Sequence, residues 1–274
     1  MPRSVLLSKQ LIKNDTDRLT LISGPCLLEN EKLVRQVAKS LIKYAKKENF
    51  NLIFKCSFDK ANRSSDQTIR NKISFDKSLD ILKNLKDDLK ISITSDVHET
   101  SQVDKLSEFL DVIQIPAFLC RQTDLIKSAA QTKKIVNVKK GQFLSHKEVS
   151  NIIKKIENEN NKKILITERG NSFGYNYLIN DFKGIHFMKE FGYPIIFDST
   201  HSVQLPGGLG KKSGGAREYV VPLSKAASSL RIAGFFIETH PNPEKALSDG
   251  PNMIYLHKMP KLLNTINKIN KAAK

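Results

Sequence analysis

The feature that most constrains this sequence is a rhythm: short β-branched or apolar runs return eight times, on average about 31 residues apart. They are Leu19–Ile22, Leu52–Phe54, Ile91–Thr94, Val112–Ile115, Ile135–Val138, Ile164–Thr167, Ile195–Phe197 and Phe235–Ile237. Bounded by polar residues, such runs read as strands. Helix-period segments separate them: Glu31–Lys47, Ser74–Leu85, Asp124–Ala130, His146–Ile156, Phe182–Phe191 and Arg217–Ile232, with Leu262–Ala272 closing the chain. In Glu31–Lys47 the residues Leu33, Val34, Val37, Leu41, Ile42 and Tyr44 form one stripe. Strands alternating with helices pair in parallel, because each connection must cross the sheet. Eight units in a chain of 274 residues fit an α/β fold with a single (β/α)8 TIM barrel over residues 1–274. A doubly wound open sheet is the competitor, and no glycine-rich turn after the first strand supports it. The residues before Leu19 read as a short N-terminal extended segment and turn that caps the barrel bottom.

Charge narrows the possible partners. Lys and Arg number 45 against 28 Asp and Glu, a formal net charge of +17. Only nine of these cations are Arg, and the 36 Lys are scattered through segments such as Lys43–Lys47 and Lys162–Lys163. Arg reads phosphates and base edges better than Lys does, and no basic run is interleaved with aromatics that could stack bases. No nucleic-acid partner is expected. The excess suits solvated helix faces and the steering of small anions towards a cleft. The longest nearly unbroken apolar stretch, Val112–Leu119, is far short of the ~20 residues of a membrane helix. No membrane partner is expected, and MPRSVLLSKQ lacks the apolar centre of a secretory signal. Three widely spaced cysteines, Cys26, Cys56 and Cys120, make no disulfide framework, so a cytoplasmic setting is expected.

Catalytic groups of a barrel come from the C-terminal ends of its strands. Here the first run leads into Gly24-Pro25-Cys26, and the second into Lys55, with Lys60 and Asn62-Arg63-Ser64-Ser65 following. The third leads to Asp96 and His98, the fourth to Gln114, the fifth to Lys139-Lys140 and the sixth to Glu168-Arg169. The last two lead to Asp198 and His201, and to Glu238 and His240. Closure of the barrel makes Cys26, His201 and Glu238 neighbours, and with Asp249 on the following loop they offer a divalent-metal donor set. A small buried Cys26 and a hydrogen-bonded core His201 are the plainer alternative. On the other side Lys55, Lys60, Arg63, Lys139 and Arg169 form a cationic floor. Its mutual repulsion calls for phosphate- or carboxylate-bearing ligands, or for ion pairing with Asp59, Asp96 and Glu168. The combination points to an enzyme acting on sugar phosphates or phosphorylated acids.

Seven longer blocks carry a resemblance: FKCSFDKANRSS (Phe54–Ser65), TSDVHE (Thr94–Glu99), DVIQIPAFLCRQTDL (Asp111–Leu125), NVKKGQF (Asn137–Phe143), TERGNSFGY (Thr167–Tyr175), FDSTHSVQLPGG (Phe197–Gly208) and FIETHPNPEKALSDGP (Phe236–Pro251). They resemble the 3-deoxy-D-manno-octulosonate 8-phosphate synthases, from about residue 19 to residue 257. The resemblance implies a (β/α)8 transferase, usually a homotetramer. Such enzymes condense phosphoenolpyruvate with D-arabinose 5-phosphate, releasing phosphate, on the route to the inner sugar of lipopolysaccharide. It implies that C3 of phosphoenolpyruvate attacks the aldehyde while water adds at C2, and that the product of this addition expels phosphate. One class of the family depends on a metal and has Cys in the Gly-Pro-Cys turn; the other has Asn there. Cys26 matches the first class, and His201, Glu238 and Asp249 match the remaining ligands of a divalent ion such as Fe2+, Zn2+ or Mn2+. Lys55, Lys60, Gln114, Lys139 and Arg169 match positions that hold phosphoenolpyruvate. Asn62, Arg63 and Ser64 match the aldose-phosphate loop, and Arg121 matches an arginine that reaches the aldose phosphate across a subunit boundary. Lys60, Asn62, Asp96 and His201 are the expected catalytic set.

Two departures accompany the resemblance. The stretch Arg70–Phe75 lacks the glycine usual after NRSS, and in Gln131-Thr132-Lys133-Lys134 a Lys stands where glycine is common. A Schiff-base aldolase built on Lys139 is a rival, although it needs one desolvated amine rather than a lysine set among other cations. The sister synthase using erythrose 4-phosphate, or a sialic-acid synthase, is a nearer one. Ala61-Asn62-Arg63-Ser64-Ser65 speaks for the five-carbon aldose, since the sister enzyme typically carries a Lys-Pro-Arg type loop there.

Overall fold

The computed structural model describes residues 3–60, 73–175, 177–205 and 214–274. Asn62, Arg63 and Ser64, and residues 70–72 of the stretch without glycine, lie outside the described residues. The chain opens with a hairpin of β1 (Val5–Leu7) and β2 (Gln10–Ile12). Then come β3 (Thr20–Gly24), β4 (Asn51–Lys55), β5 (Ser92–Asp96), β6 (Val112–Ile115), β7 (Ile135–Lys139) and β8 (Ile164–Glu168). A hairpin of β9 (Asn171–Phe173) and β10 (Tyr177–Ile179) precedes β11 (Ile195–Asp198). A ribbon of β12 (Gln204–Leu205) and β13 (Gly214–Gly215) precedes β14 (Gly234–His240), and β15 (Ile254–Tyr255) extends β14.

Each of the eight expected runs is a strand of one parallel barrel, in the order β3-β4-β5-β6-β7-β8-β11-β14. Closure comes from β14, which pairs with both β11 and β3: Phe235 stands opposite Phe197 on one side and Leu21 on the other. The strands are buried on both faces, which is why they read as apolar runs rather than as alternations. Eight helices cover the outside among the described residues: α1 (Glu31–Lys47), α2 (Phe75–Leu89), α3 (Thr100–Ser107), α4 (Thr123–Gln131), α5 (Val149–Glu157), α6 (Phe182–Lys189), α7 (Val220–Ser228) and α8 (Met259–Ala272).

Helix α1 shows how the sequence sets its own boundaries. The Asn30 side chain caps it by accepting from the Leu33 N–H at 2.9 Å, Glu31 lies in the first turn, and Lys46 and Lys47 lie in the last. Val34, Val37, Ala38, Leu41 and Ala45 are buried against the barrel, while Leu33, Ile42 and Tyr44 sit half-buried at the edges of the stripe. Full burial of one Leu or Val side chain is worth roughly 1.5–3 kcal/mol, so the stripe outweighs helix propensity.

Some elements differ from the pattern. Helix α3 escapes a periodicity reading because only Val103 and Leu106 of its residues are buried; its local signal is the reciprocal capping box of Glu99 and Gln102. The expected helix Arg217–Ile232 is shorter, being a 3-10 turn at Arg217–Tyr219 followed by α7, and the chain leaves it through a left-handed Arg231 (φ 49°). Lys133, just past the end of α4, is also left-handed (φ 59°). A helix C-terminus of that geometry favours glycine. Lys133 therefore occupies the conformation that glycine relieves.

The hairpin caps the N-terminal mouth. Val5, Leu7 and Ile12 point inward onto a layer that includes Ile22, Ile53, Val112, Ile135, Leu165 and Ile196. Leu6 and Leu11, which stand opposite each other across the hairpin, face outward. No described helix is long and apolar enough to cross a membrane.

Candidate active site

At the opposite mouth, the first strand ends at Gly24, packed so closely on β4 that a Cβ there would meet the Lys55 carbonyl oxygen at 1.9 Å. Glycine is required at that approach, and it sends the chain through Pro25 to bring Cys26, fully buried, over the barrel mouth. Glu238 projects from β14, and Asp249 follows on the next loop with a left-handed backbone (φ 54°). Ligand atoms of Cys26, Glu238 and Asp249 all lie within 4.8 Å of one another. The Cys26 Sγ–H donates to Asp249 Oδ2 at 2.9 Å. His201 stands beside this group, its Nε2 3.6 Å from Glu238 Oε2 and 3.8 Å from Asp249 Oδ2.

The orientation of His201 is fixed from behind. Its backbone N–H donates to Asp198 Oδ1 at 2.9 Å, and its ring Nδ1 lies 2.8 Å from Asp198 Oδ2. A carboxylate only accepts, so Nδ1 donates to Asp198, and the ring turns Nε2 towards Glu238 and Asp249. Asp198 is held well below the usual carboxylate range: burial pushes it up, and His201 and Lys139 more than offset this.

Three lysines of the floor each have a buried acidic neighbour. Lys55 Nζ lies 2.5 Å from Glu238 Oε1, Lys139 Nζ 2.6 Å from Asp198 Oδ2, and Lys60 Nζ 3.8 Å from Asp96 Oδ2. The ion-pair alternative thus holds for Lys60 with Asp96, whereas Lys55 and Lys139 choose Glu238 and Asp198. Glu168 turns away, towards Lys140 and His146 at 3.5 Å each. Burial lowers the proton affinity of Lys55, but Glu238, with Cys26 and Asp96, raises it above the ordinary lysine value. For Lys139 burial prevails over Asp198, and its value falls. The Lys139 ammonium also sits 3.5 Å from the centroid of the Phe236 ring, a cation–π contact at the floor of the site.

A chain of neutral groups continues across the lumen. Ser57 donates to Asp96 at 2.5 Å, Gln114 Nε2 to Asp96 at 2.7 Å, Asn137 Nδ2 to Gln114 Oε1 at 3.0 Å, and Thr167 to Asn137 Oδ1 at 2.7 Å. Arg169 Nη2 donates to Gln204 Oε1 at 2.7 Å and to the His201 carbonyl at 3.3 Å.

The donor set fits a divalent cation on two observations. Glu238 Oε2 is buried without a hydrogen-bond partner, which is costly unless a cation or proton meets it. Burial, reinforced by Asp249 and Glu238 and only partly offset by Lys60 and Lys55, pushes the Cys26 thiol up to about 12, so three acidic groups meet in one buried pocket. A Cys/His/Glu/Asp set suits Fe2+, Zn2+ or Mn2+.

The family described as the DAHP synthetase I family matches residues 4–274. Proteins named 2-dehydro-3-deoxyphosphooctonate aldolase are similar along nearly their full length. The one from Desulfotalea psychrophila is 49% identical over 93% of this chain and 90% of its own. The one from Geobacter sulfurreducens is 44% identical over all of both, and the one from Geotalea uraniireducens 47% over 96% and 97%. The chain belongs to the DAHP synthetase I family.

In this DAHP synthetase I chain the barrel mouth gathers Cys26, Lys55, Lys60, Asp96, Gln114, Lys139, Arg169, His201, Glu238 and Asp249, all buried except His201, which is nearly so. Arg121 lies elsewhere, exposed on the loop between β6 and α4. Ser57, Asn137, Thr167 and Gln204 were not singled out from sequence. For Asn137 and Thr167 a signal existed, a polar side chain inside an apolar strand run, but only the inward direction of those side chains turns it into part of a site.

Proposed function

We propose that this chain condenses phosphoenolpyruvate with D-arabinose 5-phosphate and water, giving 3-deoxy-D-manno-octulosonate 8-phosphate and phosphate. The supporting observation is the meeting of buried cations and a Cys/His/carboxylate group at one barrel mouth, in a chain alike over its length to proteins of the octonate name. C3 of phosphoenolpyruvate bonds to the aldehyde carbon, water adds oxygen at C2, and the C2–O bond to phosphate breaks.

Two polyanions must meet, which Coulomb repulsion opposes. Lys55, Lys60, Lys139 and Arg169 supply the offsetting charge, with Gln114 as a fixed donor, and together they hold phosphoenolpyruvate. Because carboxylates already pair the lysines, these amines are locked in place before the ligand arrives. Asp96, held well below the ordinary carboxylate range by Lys60 and Lys55 in spite of its burial, accepts from a substrate hydroxyl. Lys60, Asn62, Asp96 and His201 form the catalytic set. Asn62, Arg63 and Ser64 hold the aldose phosphate. Cys26, His201, Glu238 and Asp249 would hold the divalent ion, which when bound polarises an aldehyde oxygen or acidifies water.

Arg121 completes the aldose-phosphate site from a neighbouring subunit of a homotetramer. Support comes from exposed apolar side chains: Phe118, near it in sequence, and Phe173 and Tyr177 on the β9–β10 hairpin, the last two 67% exposed. Large apolar side chains this exposed suit burial against another protein surface. All three cysteines are free, which supports a cytoplasmic setting. The test is phosphate release from phosphoenolpyruvate with arabinose 5-phosphate or erythrose 4-phosphate, before and after chelation. Release with the five-carbon aldose, lost on chelation and restored by metal, is expected; equal turnover with erythrose 4-phosphate would overturn the substrate.

A further inference from the structure

Gln204 lies between the two halves of the site. It opens β12 directly after the 3-10 turn that carries His201, its backbone paired with Gly215. Its side chain is buried and makes two bonds in opposite directions: Oε1 accepts from Arg169 Nη2 at 2.7 Å, and Nε2 donates to Asp249 Oδ1 at 3.2 Å. A guanidinium only donates and a carboxylate only accepts, so one orientation of the amide serves both. The other oxygen of Asp249 is 2.9 Å from Cys26 Sγ. An unbroken relay therefore runs from Arg169 through Gln204 and Asp249 to Cys26.

We infer that Gln204 is a positioning residue that couples occupancy of the metal site to the binding of phosphoenolpyruvate. This rests on the function proposed above, with phosphoenolpyruvate at Arg169 and the ion at Cys26 and Asp249. Hydrogen bonds in such a chain polarise one another, so a fixed Arg169 makes the amide a better donor to Asp249. Asp249 needs that support: its left-handed backbone is unfavourable for a residue with a side chain, and its carboxylate must keep one oxygen towards Cys26. Ordering either end of the relay lowers the cost of ordering the other, and linkage makes the effect reciprocal. Gln204→Leu removes both bonds at similar size. Gln204→Glu keeps the acceptor for Arg169 but turns a carboxylate towards Asp249.

The experiment titrates the demetallated full-length protein with Co2+, following the thiolate-to-cobalt absorption band, with and without phosphoenolpyruvate. In the unmodified protein phosphoenolpyruvate should tighten Co2+ about tenfold, within the usual range of coupling between sites. In Gln204→Leu and Gln204→Glu the factor should fall to about twofold, the remainder being direct attraction between ion and anion. Variants with unchanged melting temperature that keep the tenfold factor would overturn the inference, as would an unmodified protein that binds Co2+ without any effect of phosphoenolpyruvate. Absence of the thiolate band in the unmodified protein would instead remove the metal reading on which the inference stands.

Discussion

At one mouth of the barrel Val5, Leu7 and Ile12 press on an apolar layer made by Ile22, Ile53, Val112 and their neighbours. At the other, a few residues further along the same strands, Lys55, Asp96, Lys139, Asp198 and Glu238 stand buried and paired. The first mouth is closed by surfaces whose burial is favourable wherever they meet. The second holds charges whose burial is costly unless every partner is in place. Stability is thus concentrated at one end and chemistry at the other, with Phe236 at the boundary: it belongs to the apolar layer, and its ring lies under Lys139.

The comparison can be broken at either end. The largest effect is expected from Cys26→Ala: the loss of a metal donor should lower phosphate release by about 10³-fold or more, equivalent to several kcal/mol of barrier. Its melting temperature should change little, and near-normal turnover in that variant would show that the charged mouth works without its thiol. Ile12→Ala, at the capped mouth, should do the reverse. Truncating a buried Ile costs about 2–5 kcal/mol, read as a shift of the urea midpoint, while the KM for phosphoenolpyruvate stays constant. A changed KM would mean that the two mouths are not separable.

The smallest effect concerns pH. Asp96 and Asp198 ionise more readily in the folded chain than in the unfolded one. Their contribution to stability is therefore complete above about pH 5 and declines as pH falls through and below 4. Asp96→Asn should flatten that decline by about 1 kcal/mol between pH 5 and pH 3 in urea titrations. An unchanged slope would assign the acid sensitivity to groups outside the site.

The eight strands were legible because each is buried on both faces, and so each had to be apolar along its length. Helix α1 was legible for the same reason, since its stripe repeats over many turns. Helix α3, with two buried apolar residues, carries too little periodicity to be read, and the β9–β10 hairpin has exposed aromatics where a strand pattern would alternate. Within the site, Cys26, Lys139 and His201 stood out because strand ends select them. Gln204 did not, because nothing in the run His201-Ser202-Val203-Gln204 distinguishes an amide that bridges two charges from one in water.

The sequence by itself determined the barrel, since burial dictates composition locally and the repeat of strand and helix dictates parallel closure. It also determined which residues arrive at the chemical end. Which partner each of them takes was decided only by the tertiary structure. Lys55 meets Glu238 across more than 180 positions of chain, and the choice between Glu238 and a nearer carboxylate is made by distances of a few ångströms. Coulomb and hydrogen-bond energies change steeply over that range, and sequence separation carries no information about it.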